Sequence, residues 1–87
     1  MKTNYQMLDD FKFFKPVERG ILAADEVEYI EETFEIPNRN DVELQNLRDF
    51  IVLFYGTQYE NDLDKWDIMS GICGVIDREK FKRGMPV

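Results

Sequence analysis

Four apolar residues, Ala23, Val27, Ile30 and Phe34, recur at intervals of four, three and four. At about 100° per residue they fall within about 60° of one another on a helix. A strand alternates its side chains at every residue and would scatter the four over both faces. Two later stretches repeat the spacing. Leu44, Leu47, Ile51 and Phe54 make one stripe, and Trp66, Met69, Cys73 and Ile76 make another. Each stripe is an apolar face that needs a partner, and three such faces can cover one another around a shared core. The sequence therefore predicts an all-α fold, a single small bundle of three to four helices with short loops.

Helix breakers divide the chain into four segments. They fall at Lys15-Pro16, Gly20, Ile36-Pro37, Gly56, the Gly71/Gly74 pair and Gly84-Met85-Pro86. In the first segment, residues 4–15, Leu8, Phe11 and Lys15 fit a helix. Phe11-Lys12-Phe13 fits a strand equally well, so a short helix is favoured and a strand stays open. The second segment, residues 22–35, ends at Pro37, because the residue before a proline is pushed out of helical conformation. The third runs from Asp41 to Tyr55. Asn40, followed three residues later by Glu43, suits its N-terminal cap. The fourth runs from Asp62, a further cap, to Phe81. There Ile68, Ile72 and Val75 widen the apolar face until the helix looks nearly enclosed. Gly71 and Gly74 each cost about 1 kcal/mol against Ala in a helix interior. They predict a close neighbour or a local break. Trp66 falls in phase with the core stripe, and Cys73 reads as an inert core thiol. Tyr29 and Tyr59 read as exposed aromatics.

Eighty-seven residues, 44% of them hydrophobic, are enough for one domain with a modest core. The single cysteine excludes an internal disulfide. No apolar run reaches the roughly 18 to 20 residues of a membrane span. The opening MKTNYQMLDD lacks a secretory apolar stretch, which points to a cytoplasmic protein.

Charge is distributed unevenly. Residues 1–20 carry four basic and three acidic side chains, and residues 68–87 four basic and two acidic. Residues 21–67 carry three basic and thirteen acidic, and the whole chain sums to −7. Such a charge repels nucleic acid and anionic membranes. Direct binding to either is not expected. The one basic cluster, Arg78, Lys80, Lys82 and Arg83, lies where a helix end favours cations.

Catalytic motifs are missing in a specific way. The chain has no histidine, which removes Ser/His/Asp and Cys/His nucleophiles and imidazole zinc sites. One cysteine builds neither a thiolate site nor a redox pair, and no glycine-rich phosphate loop occurs. GILAADE, residues 20–26, has the spacing of the second half of a calcium loop. Lys15, Val17 and Arg19 then stand where acidic ligands belong, and a turn glycine before a helix is the better reading. YENDLDKWD, residues 59–67, offers four acids but no loop-shaping glycine. The sequence predicts no enzyme, no cofactor and no metal site.

The acids of the second segment remain to be explained. Six carboxylates fall within residues 24–36, and no Lys or Arg occurs between Arg19 and Arg39. Most solvated helices mix both signs, since i,i+4 pairs stabilise and like charges destabilise. A one-signed face instead suits a basic partner. The candidate partner face comprises Asp25, Glu28, Tyr29, Glu31, Glu32, Glu35, Asp41, Glu43 and Asp49. A second acidic cluster comprises Tyr59, Glu60, Asp62 and Asp64. Basic grooves are typical of nucleic-acid-handling proteins. The reading that follows is a small acidic inhibitor, monomeric or homodimeric, that puts carboxylates where phosphates would sit in a nuclease or similar protein. In size and charge the chain resembles bacteriocin immunity proteins, antitoxins and phage anti-defence proteins, anti-CRISPR proteins among them. FKPVERGILAADEVE, residues 14–28, is faintly similar to the first helices of colicin-D-type immunity proteins. That likeness spans fifteen residues and carries no residue's role with it. The alternative is a helical adaptor or oligomerising subunit that uses the apolar surface of residues 66–76.

Overall fold

The computed structural model describes residues 3–11 and 24–86. Among these residues every regular element is helical. They are α1 (Asn4–Asp10), α2 (Ala24–Thr33), a 3-10 turn (Ile36–Asn38), α3 (Asp41–Gln58) and α4 (Leu63–Lys82). The all-α expectation holds. Helix is the outcome for the first segment as far as Asp10. Phe11 follows as its extended C-terminal cap, and residues 12–15 lie outside the described residues, as do Gly20 and Ala23.

Helices α1, α3 and α4 start where the sequence supplies a cap. At α1, Thr3 Oγ1 accepts from the Gln6 amide at 3.2 Å and Gln6 Oε1 accepts from the Thr3 amide at 2.7 Å. At α3, Asn40 Oδ1 accepts from the Glu43 amide at 2.8 Å, and Glu43 Oε1 returns the contact to the Asn40 amide at 3.1 Å. Two amides that the helix leaves orphaned are satisfied in each exchange. Asp62 Oδ1 accepts from the Lys65 amide at 3.2 Å and starts α4.

Two boundaries differ from expectation. Helix α2 stops at Thr33, and the residue that turns the chain is Glu35, in left-handed conformation at φ 53°, ψ 39°. Pro37 does not terminate α2; it sits inside the following 3-10 turn, where its missing N–H costs nothing. Helix α3 runs past Gly56 to Gln58. A single glycine weakens a helix by about 1 kcal/mol without breaking it.

Helices α3 and α4 form an antiparallel hairpin joined by residues 59–62. Four contacts define its register: Arg83 with Asp41, Lys80 with Gln45, Asp77 with Arg48, and Trp66 with Tyr59. The paired numbers total 124 or 125 in every case, so the two helices stay in step along their length. Helix α1 lies along α3, with Tyr5 edge-on to Phe50 at 5.0 Å. Phe11, just past its end, meets Tyr29 and Phe34 of the α2 segment, each at 5.5 Å. The core between them is filled by Ile30, Phe34, Ile36, Leu44, Leu47, Ile51, Ile72 and Ile76, all fully buried. Burying each such side chain is worth about 1.5–3 kcal/mol.

The inward face of α4 is centred on Ile68, Ile72, Val75 and Ile76. Trp66 lies about 135° round from that centre and is not core: it is 39% exposed. Its ring instead folds back over the connection, with Nε1 donating to the Tyr59 carbonyl at 2.8 Å. Cys73 is buried as expected. The helix runs unbroken through Gly71 and Gly74, and a side chain at Gly74 would meet nothing within 4 Å. At Gly74 the close approach expected from sequence does not occur among the described residues. No helix among the described residues is long and apolar enough to cross a membrane.

Candidate functional site

Helix α2 turns Ile30 and Phe34 into the core, with Val27 partly buried beside them. Asp25, Glu28 and Glu32 follow on the opposite side, within about 60° of one another. All three are exposed, and so is Glu35 beyond the helix end. From Asp25 to Glu32 the row is about 10 Å long. The left-handed backbone at Glu35 ends the helix one turn after Glu31. It turns the chain into the 3-10 segment while keeping Glu35 at the surface.

Glu31 does not belong to this row. It is half-buried and lines a groove between α2 and α4 together with Ala24, Val27, Val75, Arg78, Glu79 and Lys82. Its position on the helix is nearer Val27 than Glu28, which aims it at α4. Arg78 and Lys82 line the same groove from α4. Tyr29 is also half-buried, stacked on Phe11 with an interplanar angle of 23°. It packs the α2 segment onto α1 rather than standing free. On the inward flank, Glu26 Oε2 is a buried oxygen without a hydrogen-bond partner.

The acids of α3 are mostly engaged within the chain. Glu43 completes the Asn40 cap. Asp41 accepts from Arg83 Nη1 at 3.1 Å. Asp49, on the outer face, accepts from Gln45 Nε2 at 2.9 Å. Glu35 and Glu43 converge on a groove that also holds Thr3, Asn4, Met7, Asn38 and Arg39. Arg39 is the centre of that junction. Its Nε donates to the Phe34 carbonyl at 2.8 Å, and its Nη2 reaches Asn4 Oδ1 at 3.3 Å and Met7 Sδ at 3.0 Å. Burial pulls the Arg39 pKa down, and the Glu43 and Glu35 charges pull it back up.

The second acidic cluster is separate from the first. Glu60, Asp62 and Asp64 are exposed around the α3–α4 connection. The eighteen residues of α3 put them about 27 Å along the helix from Asp41. Tyr59 in this cluster is half-buried among Phe54 and Tyr55, with Lys65 Nζ 5.2 Å from its ring centroid. It is not the free aromatic expected from sequence. No group of three His, Cys, Asp or Glu side chains among the described residues is arranged to hold a metal ion.

The residues that fix the turn after α2 are basic ones, and the partner-face prediction omits them. Arg83, near the end of α4, donates to Glu79 Oε2 at 2.9 Å, to Asp41, and to the carbonyls of Ile36 at 3.4 Å and Pro37 at 3.3 Å. Hydrogen bonds to Glu79 and then Asp41 raise its pKa. Together Arg39 and Arg83 clamp the turn that follows Glu35. Arg39 had a visible signal, as the one cation between Arg19 and Arg48. Arg83 had a weaker one, since a helix-end cation ordinarily answers only to the dipole.

The apolar residues 68, 72, 73, 75 and 76 are buried in the chain's own core. Of the surface expected for an adaptor, Trp66 and half-buried Met69 remain accessible.

No protein-family model, curated protein or solved structure matches this chain.

Proposed function

We propose that the protein is a small non-catalytic inhibitor whose α2 face docks into the basic groove of a nucleic-acid-handling protein. The observation that carries this reading is the exposed row Asp25, Glu28, Glu32 and Glu35, one-signed and free of core duties. A row of like charges along one helix face lowers helix stability by a few tenths of a kcal/mol per i,i+4 pair. That cost is offset if the field steers a positively charged partner and fixes its register. Carboxylates spaced over about 10 Å of rigid helix can occupy sites that otherwise bind successive phosphates. The clamps at Arg39 and Arg83 fix the turn that carries Glu35, which lowers the entropy lost on ordering that end of the row. The protein belongs on this reading beside immunity proteins, antitoxins and phage anti-defence proteins in mode of action.

The test is affinity capture with two baits, wild type and Glu28→Lys/Glu32→Lys, from nuclease-treated lysate at low and high salt. Wild type should hold a basic nucleic-acid-binding protein at low salt and release it at high salt, and the variant should hold none. A partner held equally by both baits would end the proposal.

A further inference from the structure

Among the described residues nothing packs against Gly74. It sits in the middle of a twenty-residue helix, exposed, with open space where its side chain would be. Leu63 and Phe81 flank it on the same outer face of α4 and are 80% and 76% exposed. Leu63, Asp67, Ser70, Gly74, Asp77 and Phe81 follow one another at alternating steps of four and three, Asp77 being half-buried and turned aside to Arg48. That 3.5-residue period makes a straight helix–helix seam. Charge divides the same helix. Asp64 and Asp67 lie on one flank of its first half, and Arg78 and Lys82 lie on that same flank of its second half. All four are exposed.

We infer that α4 carries a homotypic docking surface and that its occupant is α4 of a second copy, antiparallel. A two-fold axis across antiparallel helices brings each flank against its own image, reversed in direction. Leu63 then meets the second copy's Phe81, Asp67 meets Arg78 and Asp64 meets Lys82. The midpoints of these three pairs all fall at residues 72 to 73, beside Gly74. The glycine lies at the point where the two backbones come closest. One register therefore satisfies an apolar pair, two ion pairs and the glycine together, and each pair occurs twice. A helix about 30 Å long and 10 Å wide offers about 300 Å² per chain. This is well under the roughly 800 Å² per partner of a standard interface, so the dimer is weak and reversible. Acid at the start of a helix and base at its end also suit the helix dipole. That account leaves Leu63, Phe81 and Gly74 unexplained and gives a monomer. The inference does not rest on the proposed inhibitor role, which uses α2.

The test is sedimentation equilibrium of the full chain from about 10 μM to about 1 mM, at about 0.15 M salt, where charges beyond roughly 8 Å are screened. Wild type should dimerise reversibly in the upper part of that range. Asp67→Arg should weaken the dimer about tenfold, since each reversal acts at two symmetric pairs. Asp67→Arg with Arg78→Asp should restore it. Gly74→Gln should abolish it while keeping or raising the thermal midpoint, because the substitution favours the helix. Circular dichroism of each variant separates lost pairing from lost folding. A wild-type monomer up to 1 mM would overturn the inference. So would a dimer indifferent to Gly74→Gln, or one not restored by the double reversal.

Discussion

Among the described residues, Glu35 is held in a costly backbone conformation and Tyr55 is the phenol most strongly shifted in its ionisation. Glu35 is the one non-glycine residue with positive φ among those described. Left-handed backbone costs an L-residue roughly 1–2 kcal/mol, and glycine or asparagine usually fills such a position after a helix. Glu35→Gly should therefore raise stability by about 1 kcal/mol, read as a higher urea midpoint at unchanged slope. On the inhibitor reading it should also weaken partner binding, because the carboxylate is lost. Tyr55 is the second. It is buried against the α3–α4 core, and desolvation, aided by Tyr59, pushes its pKa up to about 12. A phenol with a raised folded pKa favours the folded state fully below the unfolded value, near 10. That stability is lost as pH climbs from about 10 towards 12. Denaturation midpoints measured across that window should fall for wild type and fall less for Tyr55→Phe. Cys73 follows the same logic: burial raises its pKa, only partly countered by Arg48, and keeps it a thiol.

At the scale of elements, the legible parts of the sequence are those where one local rule decides. Asn40 with Glu43 and Asp62 with Lys65 are caps that any helix starting there would want, and both form. The stripe Leu44, Leu47, Ile51 is buried because one period fits it. Trp66 misled because its stripe and the one through Ile68 and Ile72 both have helical spacing; packing against α3 selects the second. Lys80 was legible only in part. It lies one turn beyond Ile76 on the core face, yet it is 5% exposed, held by Gln45 Oε1 at 2.7 Å. Only the antiparallel register brings Gln45 within reach. The α2 boundary was hidden because a left-handed glutamate has no compositional signature. The clamp at Arg83 belongs to this scale, since it joins α4, the 3-10 turn and α3. Arg83→Ala should cost about 2 kcal/mol, the sum of lost charge-assisted hydrogen bonds partly open to water. Arg83→Lys should recover little, because an ammonium cannot span four acceptors in a planar fork. Thermal unfolding of the two variants checks both statements.

The molecule as a whole divides its labour between two sides of the bundle. The α3–α4 hairpin and the buried isoleucines supply stability, while the outer face of α2 adds charge and little else. Glu28→Lys/Glu32→Lys should thus leave the fold intact and raise the low-salt thermal midpoint by a few degrees, since it relieves repulsion worth a few tenths of a kcal/mol per pair. A marked loss of stability would mean that those acids serve the fold. The acidic row was legible in residues 24–36. Only the packed structure shows Glu31 in one groove with Arg78 and Lys82, Asp41 taken by Arg83, and the Glu60–Asp64 cluster at the far end of α3.

The most direct test of the central claim is a competition measurement on the captured partner. Labelled nucleic acid is bound to that partner, and displacement is followed as the acidic protein is added. Stoichiometric displacement by wild type, weakened by salt and absent for Glu28→Lys/Glu32→Lys, is the predicted result. A ternary complex, in which nucleic acid stays bound while the acidic protein saturates its site, would contradict the claim that carboxylates stand in for phosphates.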